Sequence, residues 1–103
     1  MQTATDKLIA RKDGAIGWVI FNNPQKRNAM SMEMTQAMGA ALEDYARDPA
    51  IRVVILKGAG DKAFVSGADI SEFKEKRANA EAAAAYNAAS NRTAEILQEL
   101  PKP

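Results

Sequence analysis

The hexapeptide Ile16-Gly17-Trp18-Val19-Ile20-Phe21 is apolar throughout, which leaves a chain few ways to fold around it. A strand with one wet face alternates polar and apolar residues; a strand without alternation is covered on both faces. This segment is therefore expected inside a sheet. Before it, Asp13-Gly14 supplies the positive φ of a tight turn, so Leu8-Ile9-Ala10 becomes an antiparallel partner. After it, Asn22-Asn23-Pro24 ends the strand, because proline cannot donate to a ladder and holds its predecessor extended.

The rest of the chain alternates between helix and strand. Ser31 has the character of an N-cap, with Glu33 in the first turn where the helix dipole favours an acid. Met34, Ala37, Met38, Ala41, Leu42 and Tyr45 recur at helical spacing, and Asp48-Pro49 closes that helix. Ile51 to Leu56 is a β-branched run and the third expected strand. Gly58-Ala59-Gly60-Asp61 follows as a loop. A short helix is expected from Asp69 to about Lys76 and a longer one from about Asn79 to Leu100, with Ala82, Tyr86, Ala89, Thr93, Ile96, Leu97 and Leu100 on one side. The order strand, strand, helix, strand, helix predicts an α/β fold whose sheet is mainly parallel after the first hairpin.

Composition narrows the function classes. With 103 residues the chain is a single domain or a piece of one. Its 47% hydrophobic and 26% charged residues are those of a globular protein. A net charge of +1, with basic residues scattered, points away from nucleic acid. The absence of cysteine removes disulfides and thiolate nucleophiles, and the absence of histidine removes the commonest general base; no metal site is implied. No apolar run approaches the ~20 residues of a membrane span, so no membrane partner is expected. Met1 to Lys12 has no apolar signal core, and a cytoplasmic location is the default expectation.

Chemistry is concentrated in Ala63-Phe64-Val65-Ser66-Gly67-Ala68-Asp69-Ile70-Ser71-Glu72-Phe73. A hydrophobic anchor, a turn of small residues and a new helix follow one another directly. Such a turn can aim unpaired backbone N–H groups outward at a helix start, where they attract negative charge. If that charge develops during a reaction, the turn is half of an oxyanion hole. Taken without its surroundings the same run is an ordinary loop-to-helix junction capped by Asp69. Trp18 is expected to pack in the core, and Met30, Met32, Met34 and Met38 to act as flexible hydrophobes.

Two stretches in this order closely resemble the enoyl-CoA hydratase/isomerase (crotonase) family. Phe21-Asn22-Asn23-Pro24-Gln25-Lys26-Arg27-Asn28-Ala29-Met30 is similar to its N-x-P-x-x-x-N-A element, and Ala63 to Ile70 to its A-F-x-x-G-A-D-[IL] element. The resemblance implies the N-terminal portion of a crotonase-like ββα spiral over residues 1–103, with the C-terminal part absent. It implies hydration of a 2-trans-enoyl-CoA or double-bond isomerisation, with the Ala68 N–H as one of two donors to the thioester oxygen. Carbonyls around Ser66 and Ala68, with Ile70, would meet the adenine ring. Lys26 and Arg27 would contact coenzyme A phosphates, Ala29 would line the same groove, and Asp69 would cap the turn. Coenzyme A arrives as part of the substrate, so no separate cofactor is implied; an acyl-CoA substrate and further copies of the chain are the implied partners.

The family's second oxyanion donor and its acid/base glutamates have no counterpart here, so Glu72, Glu75 and Glu81 are not candidates for catalysis and the chain alone is expected to be inactive. Two alternatives stand beside this expectation. One is a non-catalytic module that binds coenzyme A or self-associates; the other is a different crotonase-superfamily reaction, such as decarboxylation, dehalogenation or ring closure.

Overall fold

The computed structural model describes residues 5–60, 63–66 and 80–103, the side chains of Lys26, Ala80, Ala82, Ala83 and Tyr86 excepted. Strands β1 (Leu8–Asp13) and β2 (Ile16–Phe21) form the expected hairpin, with Gly14 at φ +59 in its turn. A 3-10 turn, Pro24–Lys26, leads to helix α1 (Met32–Arg47); strand β3 (Val53–Gly58) and helix α2 (Ala80–Glu99) follow. The expected short helix after Asp69 lies outside the described residues. The three strands form one sheet in the order β1-β2-β3, antiparallel between β1 and β2 and parallel between β2 and β3. The α/β architecture with a parallel sheet after the hairpin is therefore as expected.

Register divides the sheet into two faces. Leu8, Ala10, Val19 and Phe21 lie on the face against α1 and are buried with Met34, Ala37, Met38, Ala41, Leu42 and Tyr45. Gly17 belongs to the same face, and the Tyr45 ring lies flat against it. The tyrosine hydroxyl donates to the Trp18 carbonyl at 2.7 Å, with the Arg11 carbonyl at 3.3 Å as a second acceptor. Trp18 points to the other face, half-buried, with Arg11 and Lys57 at 6.0 and 5.8 Å from its ring centroid. It is not part of the core cluster, and its indole Nε1 is buried without a hydrogen-bond partner among the described residues. The central position of β2 is thus confirmed, whereas Trp18 lies outside the core cluster, on the face where two cations approach its ring.

One boundary and one side chain differ from expectation. β3 starts at Val53, not Ile51, because the Ile51 N–H closes a turn on the Asp48 carbonyl (3.1 Å) while its side chain fills the core. On α2, Thr93 is buried and Ile96 packs against the core, as does Leu100 just past its end, but Leu97 is 39% exposed. The crossing of the two helices is close: a Cβ on Gly39 would stand 2.7 Å from Thr93 Oγ1, which donates to the Thr35 carbonyl at 2.9 Å. Among the described residues no helix is long and apolar enough to cross a membrane.

Candidate functional site

Both quoted sequence elements emerge from the same end of the sheet. β2 and β3 run parallel and finish side by side, with Phe21 opposite Gly58. The segments that follow them, residues 22–29 and 59–66, therefore begin next to each other at the carboxyl ends of parallel strands, where open α/β sheets hold their ligands.

A buried carboxamide joins the two segments. Asn28 is 1% exposed, and its Nδ2 donates to the carbonyls of Ala63 (2.8 Å) and Ala59 (3.1 Å). Its Oδ1 accepts the Asn23 N–H at 2.8 Å. Asn23 is buried as well and donates from Nδ2 to the Ala29 carbonyl (3.2 Å), while its own carbonyl accepts the Asn28 N–H (2.8 Å). Arg27 and Asn28 both sit in the left-handed region, at φ 52 and φ 60. That conformation folds residues 24–28 into a compact loop, closed by the Arg27 N–H on the Pro24 carbonyl at 3.1 Å.

The second segment lies close over the sheet end. A Cβ on Gly58 would meet the Phe64 carbonyl at 2.7 Å and Asn28 Nδ2 at 2.8 Å, and the Ala63 carbonyl closer still. Only glycine allows the chain to pass there. Phe64, 53% exposed, stands edge-on to the buried Phe21 ring at 5.2 Å. Ser66 then donates its N–H to the Arg27 carbonyl at 3.2 Å.

Of the residues singled out in the sequence, the structure brings Arg27, Ala29 and Ser66 into one neighbourhood. Arg27 and Ser66 are exposed and joined through the main chain, while Ala29 is 8% exposed and gives its carbonyl to Asn23. The Lys26 backbone closes the 3-10 turn beside them. Ala68, Asp69 and Ile70 lie outside the described residues, as do Glu72 and Glu75. In the sequence Asn23 stands out only as part of the strand end and Asn28 not at all, although both stand inside the quoted motif. The signal was present: two asparagines around a proline turn suit local caps and left-handed backbone.

Several acidic side chains are engaged elsewhere. Lys12 Nζ lies 2.9 Å from Asp44 and 2.8 Å from Asp48, at the opposite end of β2 from Phe21. Hydrogen bonds from Lys12, and then from the Ala50 N–H, hold the Asp48 carboxyl below its ordinary range, and the hydrogen bonds to Asp48 and Asp44 raise the Lys12 ammonium. Glu33 pairs with Lys7 at 3.2 Å and Glu43 with Arg92. The Asp44 and Asp48 pairs thus lie at the far end of the sheet, whereas the Lys7–Glu33 pair is beside the 22–29 segment, the Lys7 carbonyl accepting the Asn22 N–H at 2.7 Å.

Known proteins resemble this chain in sequence and fold. A short-chain-enoyl-CoA hydratase from Clostridium acetobutylicum is 39% identical over 70 residues, covering 68% of this chain and 27% of the relative. A mitochondrial 3-hydroxyisobutyryl-CoA hydrolase from Rattus norvegicus is 35% identical over 75 residues, covering 73% of this chain and 20% of the relative. The solved structure of an enoyl-CoA hydratase/carnithine racemase from Magnetospirillum magneticum superposes with a TM-score of 0.89 at 40% identity, over 98% of this chain and 38% of that one. This chain thus spans about a quarter of the curated relatives' length. The fold is the crotonase fold. Since the sequence profile of enoyl-CoA hydratase/isomerase also matches residues 16–103, both loops of the site included, the chain belongs to that family.

Proposed function

We propose that the protein carrying this chain acts on acyl-coenzyme A thioesters, adding water to a 2-trans-enoyl-CoA or shifting its double bond. The observation that carries this reading is the convergence of residues 22–29 and 59–66 at the carboxyl ends of β2 and β3, locked by Asn28. Arg27 and Ser66 are exposed at that end of the sheet, and Ser66 opens the sequence of small residues Ser66-Gly67-Ala68.

In this reading the Ala68 N–H is one donor to the thioester oxygen, which gains charge as an enolate-like state forms. A donor fixed in place binds that state more tightly than the ground state, and so lowers the barrier. Lys26 and Arg27 hold phosphates of coenzyme A, the arginine bidentately. Ala29 lines the groove, carbonyls around Ser66 and Ala68 with Ile70 meet the adenine, and Asp69 caps the turn. Proton transfer falls in this reading to carboxylates outside these residues, since the family's acid/base glutamates have no counterpart here. Self-association belongs to the same proposal by family likeness, and a cytoplasmic location remains its default setting.

A hydrolase among the relatives favours a second reading for the reaction, though not for the substrate class: the same loops serve a coenzyme A thioester whose acyl group is transferred to water. Calorimetric titration of this chain with coenzyme A tests the shared part. Arg27→Ala and Lys26→Ala are each expected to weaken binding by about tenfold, the worth of one charge-assisted contact. Unchanged affinity in both variants removes the phosphate assignment. Crotonyl-CoA should not be hydrated by the chain alone; measurable turnover would place the acid and base among these residues instead.

A further inference from the structure

We infer that Asn28 is the positioning residue of this site: by tying residues 22–29 to residues 59–60 and 63–66 it presents Arg27 and Ser66 to coenzyme A as one preformed surface. The inference rests on the acyl-CoA reading above for the identity of the ligand, but the clasp itself can be tested without any ligand.

Two demands meet at this position. The backbone stands at φ 60, a conformation costly for most side chains but tolerated by glycine and asparagine. The side chain is 1% exposed, so its polar atoms must find partners inside the protein. It uses two N–H donors on two separate carbonyls, Ala59 and Ala63, and one acceptor oxygen on the Asn23 N–H. Glycine meets the first demand and lacks the carboxamide. Aspartate has the right shape but no protons to donate, and glutamine carries an additional methylene with no room near Gly58.

The clasp acts on the ligand-facing residues through the main chain. Asn28 fixes Ala63 from the side, and the missing Cβ of Gly58 lets the same segment settle onto the sheet end. Ser66 then reaches the Arg27 carbonyl at 3.2 Å. Without these ties the two segments would have to be ordered when the ligand binds, and that ordering would be subtracted from its affinity. Asn28 touches no ligand in this account; it acts by removing that cost.

Asn28→Asp gives a readout that a merely structural role would not move. The carboxylate keeps the acceptor for Asn23 but turns a bare charge on two carbonyls; burial against the Ala59 and Ala63 carbonyls raises its pKa, and once protonated it recovers one donor. Relative to the unmodified chain, coenzyme A affinity is expected to fall about tenfold near pH 8 and to recover to within about threefold near pH 5. Faster exchange of the Ser66 amide near pH 8, with Trp18 emission unchanged, should accompany the loss. An unaltered affinity, or a deficit equal at both pH values, overturns the inference. If Asn28→Asp does not fold, Gly58→Ala displaces the same segment while keeping Asn28; it too should weaken coenzyme A binding with Trp18 emission unchanged, and full affinity there overturns the inference. Should the unmodified chain not bind coenzyme A, the functional reading fails separately, and unchanged Ser66 exchange in Asn28→Asp would then still overturn the clasp.

Discussion

Gly17 has no side chain because the Tyr45 ring occupies the place of one: a Cβ built there comes within 2.8–2.9 Å of three ring carbons. The ring cannot retreat without giving up the hydrogen bond from its hydroxyl to the Trp18 carbonyl. Gly17→Ala is therefore expected to cost about 1–3 kcal/mol in urea unfolding, the usual price of forcing a methyl into a packed core. Tyr45→Phe should cost about 1 kcal/mol, since the ring stays and only the hydrogen bond is lost. Tyr45 also contributes to the pH dependence. Burial raises its pKa, in the same direction as the hydrogen bonds its hydroxyl donates to the Trp18 and Arg11 carbonyls, and Lys12 is raised by its hydrogen bonds to Asp48 and Asp44. Both groups release their protons later in the folded chain than in the unfolded one. Their contribution is complete below about pH 10 and is lost as pH rises through the folded values. Asp48 is lowered, so its contribution is present above about pH 4 and is lost as pH falls through its folded value. Urea midpoints followed into alkaline solution should decline, and Tyr45→Phe should decline less steeply; an identical slope would exclude the phenol.

Among the elements, α1 has both ends defined locally. Ser31 Oγ accepts the Met34 N–H at 3.2 Å, and the Asp48 N–H closes the last turn on the Asp44 carbonyl at 3.0 Å. Ser31→Ala is expected to destabilise the chain by about 1 kcal/mol, read as a lower thermal midpoint without loss of the cooperative transition. These ends were legible in the sequence because cap and capped residue lie within a few positions of each other. The hairpin was legible for the same reason, through Asp13-Gly14. β3 was legible as a strand but not in its limits, because Ile51 is apolar for the core and not for the ladder. The Asn28 clasp was not legible at all: its acceptors, Ala59 and Ala63, are 31 and 35 residues away and are main-chain carbonyls that any residue could carry. Trp18 was misjudged because an apolar run shows that a strand is central, not which neighbours cover each face.

For the molecule as a whole, the question is what couples the helix pair to the far edge of the sheet. Residues 100–103 do so. Leu100 packs against the core, and the Lys102 ammonium donates to the carbonyls of Tyr45 and of Asp48, the latter at 2.6 Å. That is the end of α1 where unpaired carbonyls gather partial negative charge, and a cation there satisfies them. One residue further on, the Pro103 carbonyl accepts the Val54 N–H at 2.9 Å, on the edge of β3 that faces away from β2. The tail thus makes one cap and one ladder contact in sequence, and the first sets the register of the second. Lys102→Ala is expected to cost about 1 kcal/mol, since the ammonium is only partly buried and its gain over water is modest. The sharper consequence is local. Amide exchange at Val54 should accelerate well before that of Val19, whose strand is paired on both sides. If Val54 and Val19 instead lose protection together, the tail is stabilised by Leu100 packing alone and Lys102 sets no register.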